Sequence, residues 1–185
     1  MYSDYKIKVF ISSKMGMRRY DDARNELFTL VDSNKLLENM SLRANMPMPV
    51  NSMELALELV EKSHICIFLL GEAYGVTENV YKEYLHAKKN SITCLFCFCK
   101  EGDEKPYAVD DFEIKNLKAI KEENQNTTIY IENNGFADFA NHAYNGILFT
   151  IAKGYLAHYR NERQENLSTN QTRESGFAGG FYADK

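Results

Sequence analysis

Tryptophan is missing from this 185-residue chain, proline occurs three times, and no basic excess exists: 22 Lys and Arg stand against 26 Asp and Glu. The resulting net charge of −4 leaves no positive field to attract nucleic acid or an anionic membrane surface. No apolar run approaches the roughly 18 residues of a membrane span, and the opening Met1-Tyr2-Ser3-Asp4-Tyr5-Lys6 has no apolar export core. Four cysteines without an export signal predict a reducing, cytoplasmic setting. Neither GxGxxG nor GxxxxGK is present, which excludes an ordinary dinucleotide-binding dehydrogenase and a P-loop NTPase.

Metal and triad chemistry are equally thin. Cys94, Cys97 and Cys99 lie within Ile92-Thr93-Cys94-Leu95-Phe96-Cys97-Phe98-Cys99, which reads as a strand. Cys97 and Cys99 then face one side and Cys94 the other, so core packing is expected and no metal site. His64, His86, His142 and His158 have no Cys or Asp at triad-like positions.

What the chain does have is alternation. Residues 6–12 and 65–70 are apolar runs of strand length that stop at small or polar residues, as buried parallel strands do. A weak strand is expected at 36–42, a fourth at 92–99 and a fifth at 127–131. Helices are expected at 18–31, from Ser52 to Ser63, from a Thr77 cap to Lys89, at 111–123, and from Phe136 to Arg160. Such alternation predicts a parallel sheet covered on both faces. Beyond Arg160 the chain turns Asn-, Gln- and Glu-rich, then Gly/Phe-rich. We therefore expect a domain over 1–160 and a flexible or partner-bound tail over 161–185. The apolar surface of that tail and of the last helix predicts self-association, with simple coverage of the sheet by the helix as the other reading.

The first and third strands would end side by side, with a carboxylate-bearing helix following the loop Gly71-Glu72-Ala73-Tyr74-Gly75-Val76. That describes a ligand crevice. Ser12 and Ser13 could donate to a ligand or merely end a strand. Gly71 and Gly75 allow close backbone approach or serve turn geometry. Tyr74 could stack on a ligand ring or pack beneath the loop. Arg18 and Arg24 could pair with a pyrophosphate; Arg24 follows Asp21 and Asp22, so a local ion pair accounts for it and Arg18 is preferred. Taking Val80, Tyr81, Tyr84, Leu85 and Lys88 as the apolar arc, Glu83 falls about 120° from its centre. It is thus a flank residue, either solvated or aimed into the crevice.

In order along the chain, Val9 to Ser13, Asp22 with Arg24, Pro47/Pro49, Ile65 to Leu70 with Gly71, Tyr74 and Gly75, Thr77-Glu78, and Glu83-Tyr84 with Ala87 resemble the bacterial TIR-like (Toll/interleukin-1 receptor-like) family. The match covers about residues 6–100. The resemblance implies a flavodoxin-like α/β three-layer sandwich, a five-stranded parallel sheet in the order 2-1-3-4-5. It implies an enzyme that cleaves NAD, a glycohydrolase (hydrolase, NADase) or ADP-ribosyl cyclase, with NAD as substrate and no cofactor. Glu83, or alternatively Glu78, would be the catalytic carboxylate, and Ser12, Ser13, Arg18, Gly71, Tyr74 and Gly75 would bind substrate. It further implies bacterial antiviral defence in which an ADP-ribose signal reaches a separate effector protein, and a homo-oligomer. Two other readings stay open: a non-catalytic nucleotide- or protein-binding module of the same fold, and a nucleoside or nucleotide N-glycosidase.

Overall fold

In the structure, a computed structural model, residues 5–42, 52–100, 109–124, 130–133 and 138–177 are described. Four strands form the body of a parallel sheet: β1 (Ile7–Ser13), β2 (Leu37–Asn39), β3 (Ile65–Gly71) and β4 (Thr93–Cys99), in the order β2-β1-β3-β4. A short segment, β5 (Tyr130–Asn133), runs parallel along the end of β4. Residues 127–129 of the expected last strand lie outside the described residues, as do Pro47, Pro49 and Pro106.

All seven residues of β3 are buried, as a strand covered on both faces requires. Registers Val9↔Ile65 and Ile65↔Thr93 align the three central strands so that Ser12 stands beside Phe68. One face of the sheet, with Phe10, Phe68, Phe96 and Phe98, packs against α2 (Ser52–Glu61), α3 (Glu78–Lys89) and α4 (Asp111–Asn124). Phe68 and Phe96 stack at 5.3 Å, and Tyr84 of α3 meets both rings edge-on.

Helix α1 (Arg18–Ser33) buries Tyr20, Ala23, Arg24, Leu27, Phe28 and Val31, an i, i+3, i+4, i+7 stripe. Its Tyr20 ring meets Phe139, the first residue of α5 (Phe139–Phe177), at 6.0 Å on the other side of the sheet. Helices therefore cover both faces. Cys97 and Cys99 are buried, whereas Cys94 sits half-buried among the α2–α3–α4 side chains, the split that alternation predicts.

The chain forms two units, residues 1–147 and 148–185, the second entered within α5. This helix runs on to Phe177 instead of ending near Arg160, and residues 178–185 lie outside the described ones. The physical reason is local. Between Gly154 and Gly176 no glycine or proline interrupts the chain, and its Glu, Gln and Arg residues form helix readily. Among the described residues no helix is long and apolar enough to cross a membrane.

Candidate functional site

The strand order reverses direction at β1: β2 lies on one side of it and β3 on the other. Crevices form at such points, beyond the carboxyl ends of the strands. A cavity of about 320 Å³ opens there, lined by residues 10–15 at the end of β1, Arg24 of α1, Leu42, the start of α2 and the start of α3 through Glu83. Its size lies at the lower end of small-molecule sites.

Glu83 is the carboxylate of this cavity. The buried face of α3 is Val80, Tyr84 and Ala87, with Leu85 turned out to solvent. Measured from that arc, Glu83 lies about 65° from the centre rather than 120°. The sheet recruits Ala87 in place of Leu85 and rotates the helix, which brings Glu83 over the end of β1. There Ser12 Oγ donates a hydrogen bond to Glu83 Oε2.

Burial raises the Glu83 carboxyl to about 7, against the opposing pull of the Ser12 hydrogen bond and the Arg24 charge. The group thus exists in both protonation states near neutrality. It can attack or stabilise a cationic centre when ionised, and donate a proton when neutral.

Glu78 is mostly exposed, in an i,i+4 pair with Lys82 at 2.7 Å, and does not line the cavity. Thr77 caps α3 as expected: its hydroxyl accepts from the Val80 N–H at 3.4 Å.

Ser12 and Ser13 both line the cavity, but Gly71, Tyr74 and Gly75 do not. Tyr74 is 1% exposed and packs edge-on against Tyr20 at 5.3 Å. A Cβ at Gly71 would stand 2.3 Å from the Tyr20 hydroxyl, and one at Gly75 would stand 2.9 Å from the Glu113 backbone. Gly75 also has φ +64°, where glycine is favoured. The loop is clamped onto α4: Val76 N–H donates to Glu113 O at 3.0 Å, and Asn116 Nδ2 donates to Val76 O at 3.1 Å. These glycines serve close packing.

The two arginines exchange places relative to expectation. Arg18 is exposed and does not line the cavity; Arg24 is 4% exposed and does. Arg24 Nη2 lies 3.5 Å from Asp21 Oδ1, so the local ion pair exists, but Nε has no hydrogen-bond partner. Its position offered a signal: a cation inside the apolar stripe between Ala23 and Leu27. Lys14, Asn79 and Ser52 also line the cavity, and no sequence pattern marks them for it. Lys14 Nζ donates to both Glu113 carboxylate oxygens at 2.9 Å and to Tyr74 O at 3.1 Å, tying the β1 end to the loop and α4. Among the described residues no group of three His, Cys, Asp or Glu could hold a metal.

Three solved structures are similar to this chain. TIR domains of the activated Roq1 resistosome, which recognises the pathogen effector XopQ, align with TM-score 0.53 at 11% identity over 79% of this chain and 99% of theirs. Translation elongation factor SelB from Methanococcus maripaludis, with a GTP analogue, aligns with TM-score 0.53 at 13% identity, over 82% of this chain but 35% of its own. A Clostridium botulinum CMP N-glycosidase, BcmB, aligns with TM-score 0.46 at 13% identity, over 73% and 96%. No curated protein matches significantly. Residues 8–147, the span that carries the sheet and the cavity, match one family throughout, and the chain belongs to that family, described as "Domain of unknown function (DUF4062)".

Proposed function

We propose that the cavity cleaves the N-glycosidic bond between nicotinamide and ribose in NAD, with Glu83 as the essential carboxylate. The observation that carries this reading is Glu83 itself: a carboxylate held by Ser12 at the switch point of a parallel sheet, in a cavity of ligand size. The reaction asks little of the protein. The nicotinamide ring of NAD is cationic while bonded to ribose; as the bond from the anomeric carbon breaks it takes the electron pair and departs as a neutral base, so no proton donor is needed. The ionised Glu83 stabilises the oxocarbenium ion or bonds to the anomeric carbon. Water then adds to give ADP-ribose and a proton, or the ADP-ribosyl group closes on itself.

The likeness of the fold to TIR domains supports this assignment, as do the sequence features shared with bacterial TIR-like proteins. On the same reading the protein is a cytoplasmic homo-oligomer in antiviral defence, whose nucleotide product acts on a separate effector protein or whose turnover depletes NAD.

The test is incubation of the purified chain and its Glu83→Gln variant with NAD, resolving nicotinamide and ADP-ribose products by chromatography and mass. Nicotinamide from wild type alone supports the assignment, and product mass separates cyclase from hydrolase. Equal release by both variants removes Glu83 from its role. No release by either leaves a nucleotide-binding module.

One observation favours a second reading, a nucleotide N-glycosidase acting on an uncharged base. Such a base departs poorly without a proton, and a carboxyl raised to about 7 can supply one. Base release from CMP or AMP with a rate that falls above that pH would select it.

A further inference from the structure

Two polar atoms of cavity-lining residues have no hydrogen-bond partner in the folded protein. Arg24 is 4% exposed, yet its Nε–H has no hydrogen-bond partner; Ser13 is 8% exposed, and its Oγ likewise has none. Burial lowers the Arg24 pKa, opposed by the charges of Asp21 and Glu83; the Asp21 pair and the Phe28 ring, 5.5 Å from the guanidinium, compensate the charge, but the buried Nε–H still lacks an acceptor. Both residues line the cavity.

Two helices also begin at this cavity. Ser52 and Met53 open α2, and Thr77, Asn79 and Val80 belong to the start of α3. The first N–H groups of a helix have no intrahelical acceptor, and the helix dipole puts partial positive charge at that end. Thr77 satisfies the Val80 N–H, and Tyr81 N–H bonds to Thr77 O, which leaves the Glu78 and Asn79 N–H groups. Among the charged side chains of the lining, Lys14 and Arg24 are cationic and Glu83 alone is acidic. Asp21 and Glu113, which pair with those cations, stand outside the lining. The unused Arg24 and Ser13 donors and the two helix starts call for a ligand that brings acceptors and negative charge.

We propose that Arg24 and Ser13 seat a phosphate group of the ligand, between the first turns of α2 and α3 and beside Glu83. The substrate class is then a nucleoside phosphate rather than a free nucleoside, with the phosphate as anchor and the glycosidic carbon presented to Glu83. This deepens the proposed reaction and rests on reading the cavity as a nucleotide site. Its test does not depend on turnover.

The full-length chain carrying Glu83→Gln is titrated calorimetrically with AMP and with adenosine. AMP is expected to bind at least about tenfold more tightly, the scale of a hydrogen bond to a charged group. Ser13→Ala, added to that background, breaks no hydrogen bond of the folded state, so it folds normally and weakens AMP several-fold while leaving adenosine unchanged. Arg24→Lys keeps the charge but loses the guanidinium fork, and weakens AMP by at least about tenfold. Equal binding of AMP and adenosine, or AMP affinity indifferent to Ser13→Ala and Arg24→Lys, overturns the phosphate site. AMP selectivity without nicotinamide release by wild type upholds the site and removes the NAD-cleavage reading. Nicotinamide release without AMP selectivity does the reverse.

Discussion

Ser12 on β1 donates its hydroxyl proton to Glu83 on α3, across 71 positions of sequence and from one element of the crevice to the other. This bond favours the ionised carboxylate, whereas burial favours the neutral acid, and burial prevails. Ser12→Ala removes the opposing influence. The ionisation of Glu83 then moves to higher pH, and the rising limb of kcat/KM against pH for nicotinamide release moves with it. An unchanged profile in Ser12→Ala would separate Glu83 from the observed limb.

The same shift affects stability. Folded Glu83 titrates near 7, above its ordinary 4.5, so between those pH values the native state holds more proton than the unfolded chain. Stability therefore falls as pH rises through that window, with a ceiling on the order of 3 kcal/mol for such a shift. Glu83→Gln has no such group. Its unfolding free energy should match wild type best near pH 4.5 and exceed it at pH 8, as urea denaturation at both pH values would measure.

Gly71→Ala should destabilise by about 1–3 kcal/mol, the range for overpacking a filled site. The added methyl meets the buried Tyr20 ring and Tyr74. Substrate affinity of the folded fraction should stay near wild type, because Gly71 does not line the cavity. A KM increase without loss of stability in urea denaturation would return this glycine to a ligand-contacting role.

Glu78→Ala should destabilise by no more than about 1 kcal/mol and Arg18→Ala should change stability by no more than about 0.5 kcal/mol, as exposed positions do. Glu78 loses its exposed pair with Lys82 and its favourable place in the first turn of α3. Nicotinamide release in both should stay within about twofold of wild type. A loss in Glu78→Ala comparable to that in Glu83→Gln, expected to be about a hundredfold or more, would transfer the catalytic carboxylate to Glu78.

The residues of β1 and β3 announce themselves in sequence because a strand buried on both faces must be apolar without interruption, and Thr77 because a helix start needs a side-chain acceptor. The parallel α/β plan follows from their order. The site itself was only partly legible. Ser12, Ser13 and Glu83 lie where the chain order suggests, but the loop Gly71 to Val76 folds away, since Tyr74 buries its ring against Tyr20 and α4 holds Val76.

Which side of α3 faces the sheet could not be read from periodicity. The helix carries Tyr81, Leu85 and Lys88 as well as Val80, Tyr84 and Ala87, and two apolar arcs compete. Packing against Phe68 and Phe96 chose the second, through Tyr84. Apolar periodicity and turn chemistry dictate the elements, their order and the chemical groups available. The tertiary structure decided which of those groups lost water together, and it is shared desolvation that joins Glu83, Ser12, Ser13 and Arg24 in one cavity.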